Sequence, residues 1–173
     1  MNKIEHIDFT KMDVSDYVES LEHTSFTSRE LYNACQLFKQ MNEDENCTII
    51  LTIAGSTQAA GCLQLYRDLV KLNMVDIIVA TGASIIDMDL YEALGYHHYK
   101  GTTKVDDDEL RQKGIDRIYD TYIHEEDLKK VDQYVCDIAT QYSEGSIMSS
   151  REFLNLLGKH TPNSLVNECY EAG

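Results

Sequence analysis

The sequence predicts an α/β fold, a parallel sheet with flanking helices that is incomplete at its C-terminal end. Three observations predict it. Residues 48–53 and 75–80 are short runs rich in apolar and β-branched residues, as strands buried on both faces are. Each run ends in a turn of small residues, Ala54-Gly55-Ser56 and Thr81-Gly82-Ala83-Ser84. Between them, residues 57–72 carry helical periodicity through Leu63, Tyr66, Leu69 and Val70. Strand, helix, strand, helix in that order means parallel strands joined by right-handed crossovers, a Rossmann-like arrangement.

The remaining elements follow in order. Residues 1–24 read as an arm and a short helix that starts at Asp13 or Ser15 and ends near Leu21. Thr27 followed by Glu30 predicts a capping box that opens a helix to about Met41, with Leu31, Ala34, Cys35, Leu37 and Phe38 on its buried side. Asn73 stands where a helix C-cap belongs, and a further helix is expected near residues 87–94. Residues 96–99 and 115–119 read as short extended pieces, on either side of a helix over 105–113 stopped by Gly114. Leu128, Val131, Val135 and Ile138 mark a long amphipathic helix over 125–142. Ser149 or Ser150 caps a helix that Gly158 closes, and Asn163 or Ser164 opens a last one with Gly173 at its C-cap. The single proline, Pro162, and the lack of any Gly/Ser-rich linker leave residues 25–173 as one domain. Two strong strands are few for a doubly wound sheet. The apolar helix faces around Leu128 to Ile138 and Leu154 to Leu157 are therefore expected to need cover from later strands, and the isolated chain to self-associate or be marginally stable.

Composition narrows the function. Against 15 Lys and Arg stand 30 Asp and Glu, a formal net charge of −15. No broad cationic face is available for nucleic acid or an anionic membrane, whereas a cationic ligand suits the balance. No apolar run approaches a bilayer span, and the polar N-terminus is unlike a signal peptide. The five cysteines, Cys35, Cys47, Cys62, Cys136 and Cys169, are scattered without a C-x-x-C pair. They read as reduced thiols of a cytoplasmic protein, not a disulfide framework or zinc site.

The candidate chemistry lies at the two turns. Both fall at the carboxyl ends of parallel strands, the edge where open α/β sheets bind ligands. Small residues there admit a phosphate to backbone N–H groups. Neither turn is a G-x-G-x-x-G, and isolated turns of this kind are more often structural. Asp87 and Asp89 suit a cationic amine or a ribose hydroxyl, or merely a helix N-terminus. The acidic run Asp106 to Glu109 reads as a solvated helix cap rather than a metal site, and the adjacent His97 and His98 point apart in a strand. No lysine shows a setting that would activate it for imine chemistry.

Several stretches resemble the deoxyhypusine synthase family. They are Leu51-Thr52-Ile53-Ala54-Gly55-Ser56 with Ala60-Gly61, then the run from Asn73 to Ala83. His97-His98-Tyr99-Lys100-Gly101-Thr102, Glu109-Leu110-Arg111 and the run from Gly114 to Asp120 continue the match. Ser149 to Phe153 and Leu157-Gly158 complete it, so the resemblance covers about Ser25 to Gly173. The turn wording is closer to the archaeal and bacterial deoxyhypusine synthase-like branch than to the eukaryotic enzymes. The resemblance implies a Rossmann-like, NAD-binding homotetramer with sites at a dimer interface. It implies oxidation of spermidine and transfer of its aminobutyl group, through an imine on an enzyme lysine, to a lysine of translation factor 5A. A small amine is the acceptor in some relatives, giving homospermidine.

By position, the family's first NAD loop falls on Gly55, Ser56, Thr57, Gln58 and Ala59. The second falls on Thr81, Gly82 and Ala83, with Asp87 as the following acidic residue. Ser56 stands where the eukaryotic enzymes have asparagine, and Ile86-Asp87 where they have a Glu-Glu pair, with one residue inserted before Asp89. The family's imine-forming lysine lies in its C-terminal half, so no lysine here is assigned a catalytic role. The chain is expected to be the N-terminal portion of such an enzyme. The alternative is a non-catalytic regulatory or structural subunit that assembles with an intact paralogue.

Overall fold

The computed structural model describes residues 3–8, 10, 12–142 and 145–173, so Met1, Asn2, Phe9 and Lys11 of the expected arm lie outside the described residues. Residues 1–49 and 50–173 form two compact units.

In the first unit, α1 (Val14–Ser20) opens with a reciprocal cap in which the Asp16 N–H donates to Asp13 and the Asp13 N–H to Asp16. A 3₁₀ turn, Leu21–His23, buries Leu21 and leads to α2 (Phe26–Glu43). The expected capping box does not form. Helix α2 begins at Phe26, so Thr27 is already inside it, and the Arg29 side chain reaches back to the Thr24 carbonyl instead. Its apolar side is also not buried: Leu31, Ala34, Cys35 and Leu37 are exposed and Phe38 is half-buried. The seven-residue α1 is too short to cover that stripe within the unit.

The second unit is built on two parallel strands, β1 (Ile50–Ile53) and β2 (Ile77–Ala80), paired Ile50 to Ile77 through Ile53 to Ala80. The crossover between them is not one helix. Gln58–Cys62 form a π-helical turn, Gly61 breaks the helix with φ 100°, and α3 (Leu63–Lys71) follows. Asn73 ends α3 as expected. It takes the left-handed conformation (φ 54°), while its N–H donates to the Val70 carbonyl and that of Met74 to the Leu69 carbonyl.

After β2, a second π-helical segment, Ser84–Leu90, runs into the short α4 (Tyr91–Ala93). Then β3 (Tyr99–Lys100), α5 (Asp107–Gln112), β4 (Ile115–Ile118) and β5 (Thr121–His124) give a separate antiparallel sheet of order β3-β5-β4. Helices α6 (Glu125–Ala139), α7 (Ser150–His160) and α8 (Leu165–Ala172) complete the unit.

Gly158 does not close α7; the helix runs on to His160. A Cβ at Gly158 would collide with the Val166 carbonyl, so the glycine is there to let α8 pack against α7. The larger core joins Ile85, Leu90 and Tyr91 to Ile123, Val131, Ile138, Leu156, Leu157 and Val166. The faces of α6 and α7 expected to need outside cover are therefore buried within the chain, because the turn at Ser84–Leu90 and the β5 strand fill the space between them.

What stays bare is one face of the parallel sheet. Leu51, Ile53, Ile78 and Ala80 pack against Leu63, Tyr66, Val70 and Leu165 of α3 and α8. On the opposite face Ile50, Ile77 and Val79 are 55%, 45% and 56% exposed. Parallel sheets are ordinarily covered on both faces, and covering these three side chains would contribute roughly 1 kcal/mol apiece.

Candidate functional site: two strand-end turns of a deoxyhypusine synthase-family chain

Parallel pairing in register puts the ends of β1 and β2 side by side, since Ile53 pairs with Ala80. The ladder extends one residue further: the Thr81 N–H donates to the Ile53 carbonyl at 3.2 Å. The two turns that follow are thus neighbours by construction, and their π-helical segments pack against one another.

In the first turn, Gly55 and Ser56 take consecutive left-handed conformations (φ 77° and 61°) that throw the chain away from the strand. Thr57 is fixed by the Tyr66 hydroxyl, 2.8 Å from its Oγ1. The Cys62 N–H donates to the Thr57 carbonyl, the five-residue bond that makes the turn π-helical. Gln58 is buried at 1% exposure, and neither its Nε2 nor its Oε1 has a hydrogen-bond partner. Ala59 is half-buried. In the second turn Thr81 receives the Ser84 N–H on its Oγ1 and shares a 2.9 Å hydroxyl contact with Ser84. Thr81, Gly82 and Ala83 are exposed, as is Gly55, and a Cβ at Gly55 or Gly82 would meet nothing within 4 Å. The backbone of both turns therefore faces open space.

The two aspartates beyond the second turn part ways. Asp87 is half-buried, and burial together with the nearby Asp132 charge raises its pKa. Asp89 is fully buried and binds the first N–H groups of α8, accepting from Leu165 (2.6 Å, Oδ1) and Val166 (3.1 Å, Oδ2). It holds a helix rather than a ligand. Burial lifts its pKa to about 6, against the two backbone N–H bonds and Arg67, which pull it down; Glu92 pushes the same way as burial.

The other candidates resolve into local partners. Asp106 caps α5, and Asp107 is gripped by the Arg117 guanidinium through both oxygens. His97 is exposed, while His98 turns inward with Nδ1 2.8 Å from Glu92 Oε1, next to the Tyr91 ring. Sequence reasoning missed this Glu92–His98 pair and the Glu168 carboxylate shared by Arg67 (2.7 Å) and Lys71 (3.0 Å), since both join residues from different elements. Two surface depressions, of about 560 and 340 Å³, lie away from the strand ends. One borders α7 and the other lies between Arg67, Glu92 and Asn163. The strand-end edge is open on its exposed side and, of these three places, is the one that gathers exposed residues from two turns.

Residues 16–173 match the sequence model of the deoxyhypusine synthase family. The chain belongs to that family. It is 51% identical over 175 residues to the deoxyhypusine synthase-like protein of Coxiella burnetii, covering 97% of this chain and 49% of that one. With the protein of the same name from Caulobacter vibrioides the identity is 44%, over 98% of this chain and 48% of the relative. The chain thus spans about half the length of the curated relatives it matches. In fold it is similar to a solved chain from Entamoeba histolytica described as a deoxyhypusine synthase. The TM-score is 0.64 at 18% identity, over 98% of this chain and 61% of that one. An α/β fold incomplete as a deoxyhypusine synthase is what the sequence predicts. Among the described residues, no helix is long and apolar enough to cross a membrane.

The Asp89 geometry carries a pH dependence of known sign. With its pKa near 6 in the folded chain and 3.8 as the reference, the folded state binds the proton more tightly. Its contribution is greatest at low pH and is lost as pH rises through about 6. Relative to an Asp89→Asn variant, wild type should gain about 1 kcal/mol of stability between pH 7 and pH 5. Parallel denaturant titrations of both proteins measure the difference. A difference that stays flat, or falls, over that range contradicts the buried-carboxylate account.

Proposed function

We propose that this chain supplies the N-terminal portion, residues 25–173, of an NAD-dependent aminobutyl transferase acting on spermidine. The acceptor is a lysine of the translation factor 5A precursor or a small amine, the second giving a homospermidine-type product. The setting is cytoplasmic and the working enzyme is an oligomer. Family membership supports the reaction class, and one observation carries the cofactor reading. Two glycine-bearing turns lie side by side at the carboxyl edge of a parallel sheet, with their backbone facing open space.

The residues fit a dinucleotide there. Gly55, Ser56, Thr57, Gln58 and Ala59 from the first turn and Thr81, Gly82 and Ala83 from the second would line it, and no side chain of Gly55 or Gly82 intrudes on the approach. When bound, NAD accepts a hydride from the amine that is oxidised. The chain's part is to hold and orient. Thr81 is fixed through Ser84 and Thr57 through Tyr66, so both turns present their N–H groups in set positions. Asp87, half-buried beside Asp132, offers negative charge to a polyamine, and a cation placed there would lower the raised pKa of its carboxyl. The net charge of −15 draws such a cation from a distance.

Two variants test the two halves of this reading in the assembled enzyme. Gly82→Val places its side chain in open space in the free chain, so folding should be kept, while NAD affinity should fall tenfold or more by titration calorimetry. Unchanged affinity would remove the second turn from the site. Asp87→Asn should raise the spermidine concentration needed for half-saturation several-fold, with NAD affinity nearly intact. If spermidine saturation does not move, Asp87 serves only its own helix.

A further inference from the structure

Away from the strand-end edge, the depression of about 340 Å³ gathers opposite charges without joining them. It is lined by Leu63, Gln64 and Arg67 of α3, Glu92 and Ala93 of α4, and Asn163 from the turn before α8. Each charged group is held by a partner of its own. Arg67 donates from Nε (3.2 Å) and Nη2 (2.7 Å) to Glu168 Oε1. Glu92 Oε1 lies 2.8 Å from Nδ1 of His98, whose imidazole is 4% exposed and stands next to the Tyr91 ring. Glu92 itself is partly exposed. One guanidinium nitrogen, Arg67 Nη1, and one carboxylate oxygen, Glu92 Oε2, are thus left without a partner among the described residues. Nor do Arg67 and Glu92 form an ion pair with each other. Glu168 is shared with Lys71, so one carboxylate answers two cations. Both groups act on the buried Asp89 carboxyl, Arg67 lowering its pKa and Glu92 raising it, so both lie close to it. Asp89 itself is committed to the N–H groups of α8.

A cation and an anion that line one recess, each held by a partner outside it, are ordered before any ligand arrives, so binding loses little side-chain freedom. The rest of the lining suits the same ligand. Gln64 uses its Nε2 on Asp68 (2.7 Å), which leaves its carbonyl oxygen as an acceptor. Asn163, in the left-handed conformation at φ 64°, carries an exposed amide with both donor and acceptor. Leu63 and Ala93 give the recess an apolar part. Its volume is at the low end of small-molecule sites, which run from roughly 300 to 1,000 Å³. We propose that this depression binds a zwitterion of the α-amino-acid class, with its carboxylate on Arg67, its ammonium on Glu92 and its carbon body against Leu63 and Ala93. Selection follows from the pairing of charges. A plain amine leaves Arg67 unmatched, and a plain carboxylate leaves Glu92 unmatched. The site is separate from the strand-end edge and does not depend on how that edge is read.

Titration calorimetry of the 173-residue chain with L-leucine tests this, beside two derivatives that each lack one charge, N-acetyl-L-leucine and L-leucine amide. L-Leucine should bind at least about tenfold more tightly than either derivative. Glu92→Gln keeps an acceptor for His98, and Arg67→Lys keeps a cation for Glu168, so both variants should fold. Each should weaken L-leucine about tenfold. Asn163→Gly keeps the left-handed turn and should weaken it several-fold, a measurement that stands even where a charged variant loses its fold. L-Leucine amide binding as tightly as L-leucine would make the depression an amine site, and N-acetyl-L-leucine doing so would make it an anion site. Either result overturns the proposal. So does the absence of saturable binding, and so does L-leucine affinity unchanged in all three variants, which would put the ligand elsewhere. NAD and spermidine titrations bear on the strand-end edge alone, so either reading can fail while the other stands.

Discussion

Everything the second unit positions depends on the parallel pairing of β1 with β2. Parallel strands need a crossover, so the chain between them must leave the sheet, run back along it and return. Residues 54–76 do this through the Gly55–Ser56 turn, α3 and the Asn73 terminator. Since β1 and β2 are paired to the last residue, the turns leave from the same level and their helical segments start side by side. What the two strands contribute is placement. Their pairing decides where bare backbone from two distant stretches will meet.

The same pairing leaves a sheet covered on one side. Helices α3 and α8 close the face of Leu51, Ile53, Ile78 and Ala80, and the buried Asp89 carboxylate ties the start of α8 to the segment that follows β2. The other face keeps Ile50, Ile77 and Val79 half-exposed, and β1 and β2 pair with no third strand among the described residues. Relatives about twice as long as the chain have the length to supply such cover. The open carboxyl edge and the bare sheet face thus belong to the same pair of strands.

Much of this was legible in the sequence, and the failures have physical causes. The strands were readable because continuous β-branched runs have few other uses, and Asn73 because a left-handed residue must end a helix somewhere. Helices α6 and α8 were readable from periodicity and from Ser164, whose side chain accepts the Asn167 N–H. The break at Gly61 was not, since a glycine inside a periodic stretch looks the same whether the helix runs through it or kinks. Gly158 misled for the opposite reason: it serves close approach of α8 inside a helix rather than ending one. Strand β5 was hidden because its residues 121–124 adjoin the start of α6, and the two-residue turn at Tyr119 and Asp120 lacks glycine. The fate of α6 and α7 was misread because periodicity shows which face is apolar, not which partner covers it. Of the site, both turns could be placed by pattern and resemblance. The isolation of the Gln58 carboxamide and the separate roles of Asp87 and Asp89 could not, because they depend on what tertiary packing brings near each side chain.

The most direct measurement is spermidine cleavage by the chain with and without a second polypeptide that matches the remaining half of its relatives. The two are to be co-expressed, purified together, supplied with NAD and spermidine, and assayed for diaminopropane release by mass spectrometry, beside the 173-residue chain alone. The account predicts release by the complex and none by the single chain, since the edge proposed to hold cofactor and amine includes no residue assigned to the transfer. Release by the single chain, or a well-formed complex that binds NAD and cleaves no spermidine, would contradict it.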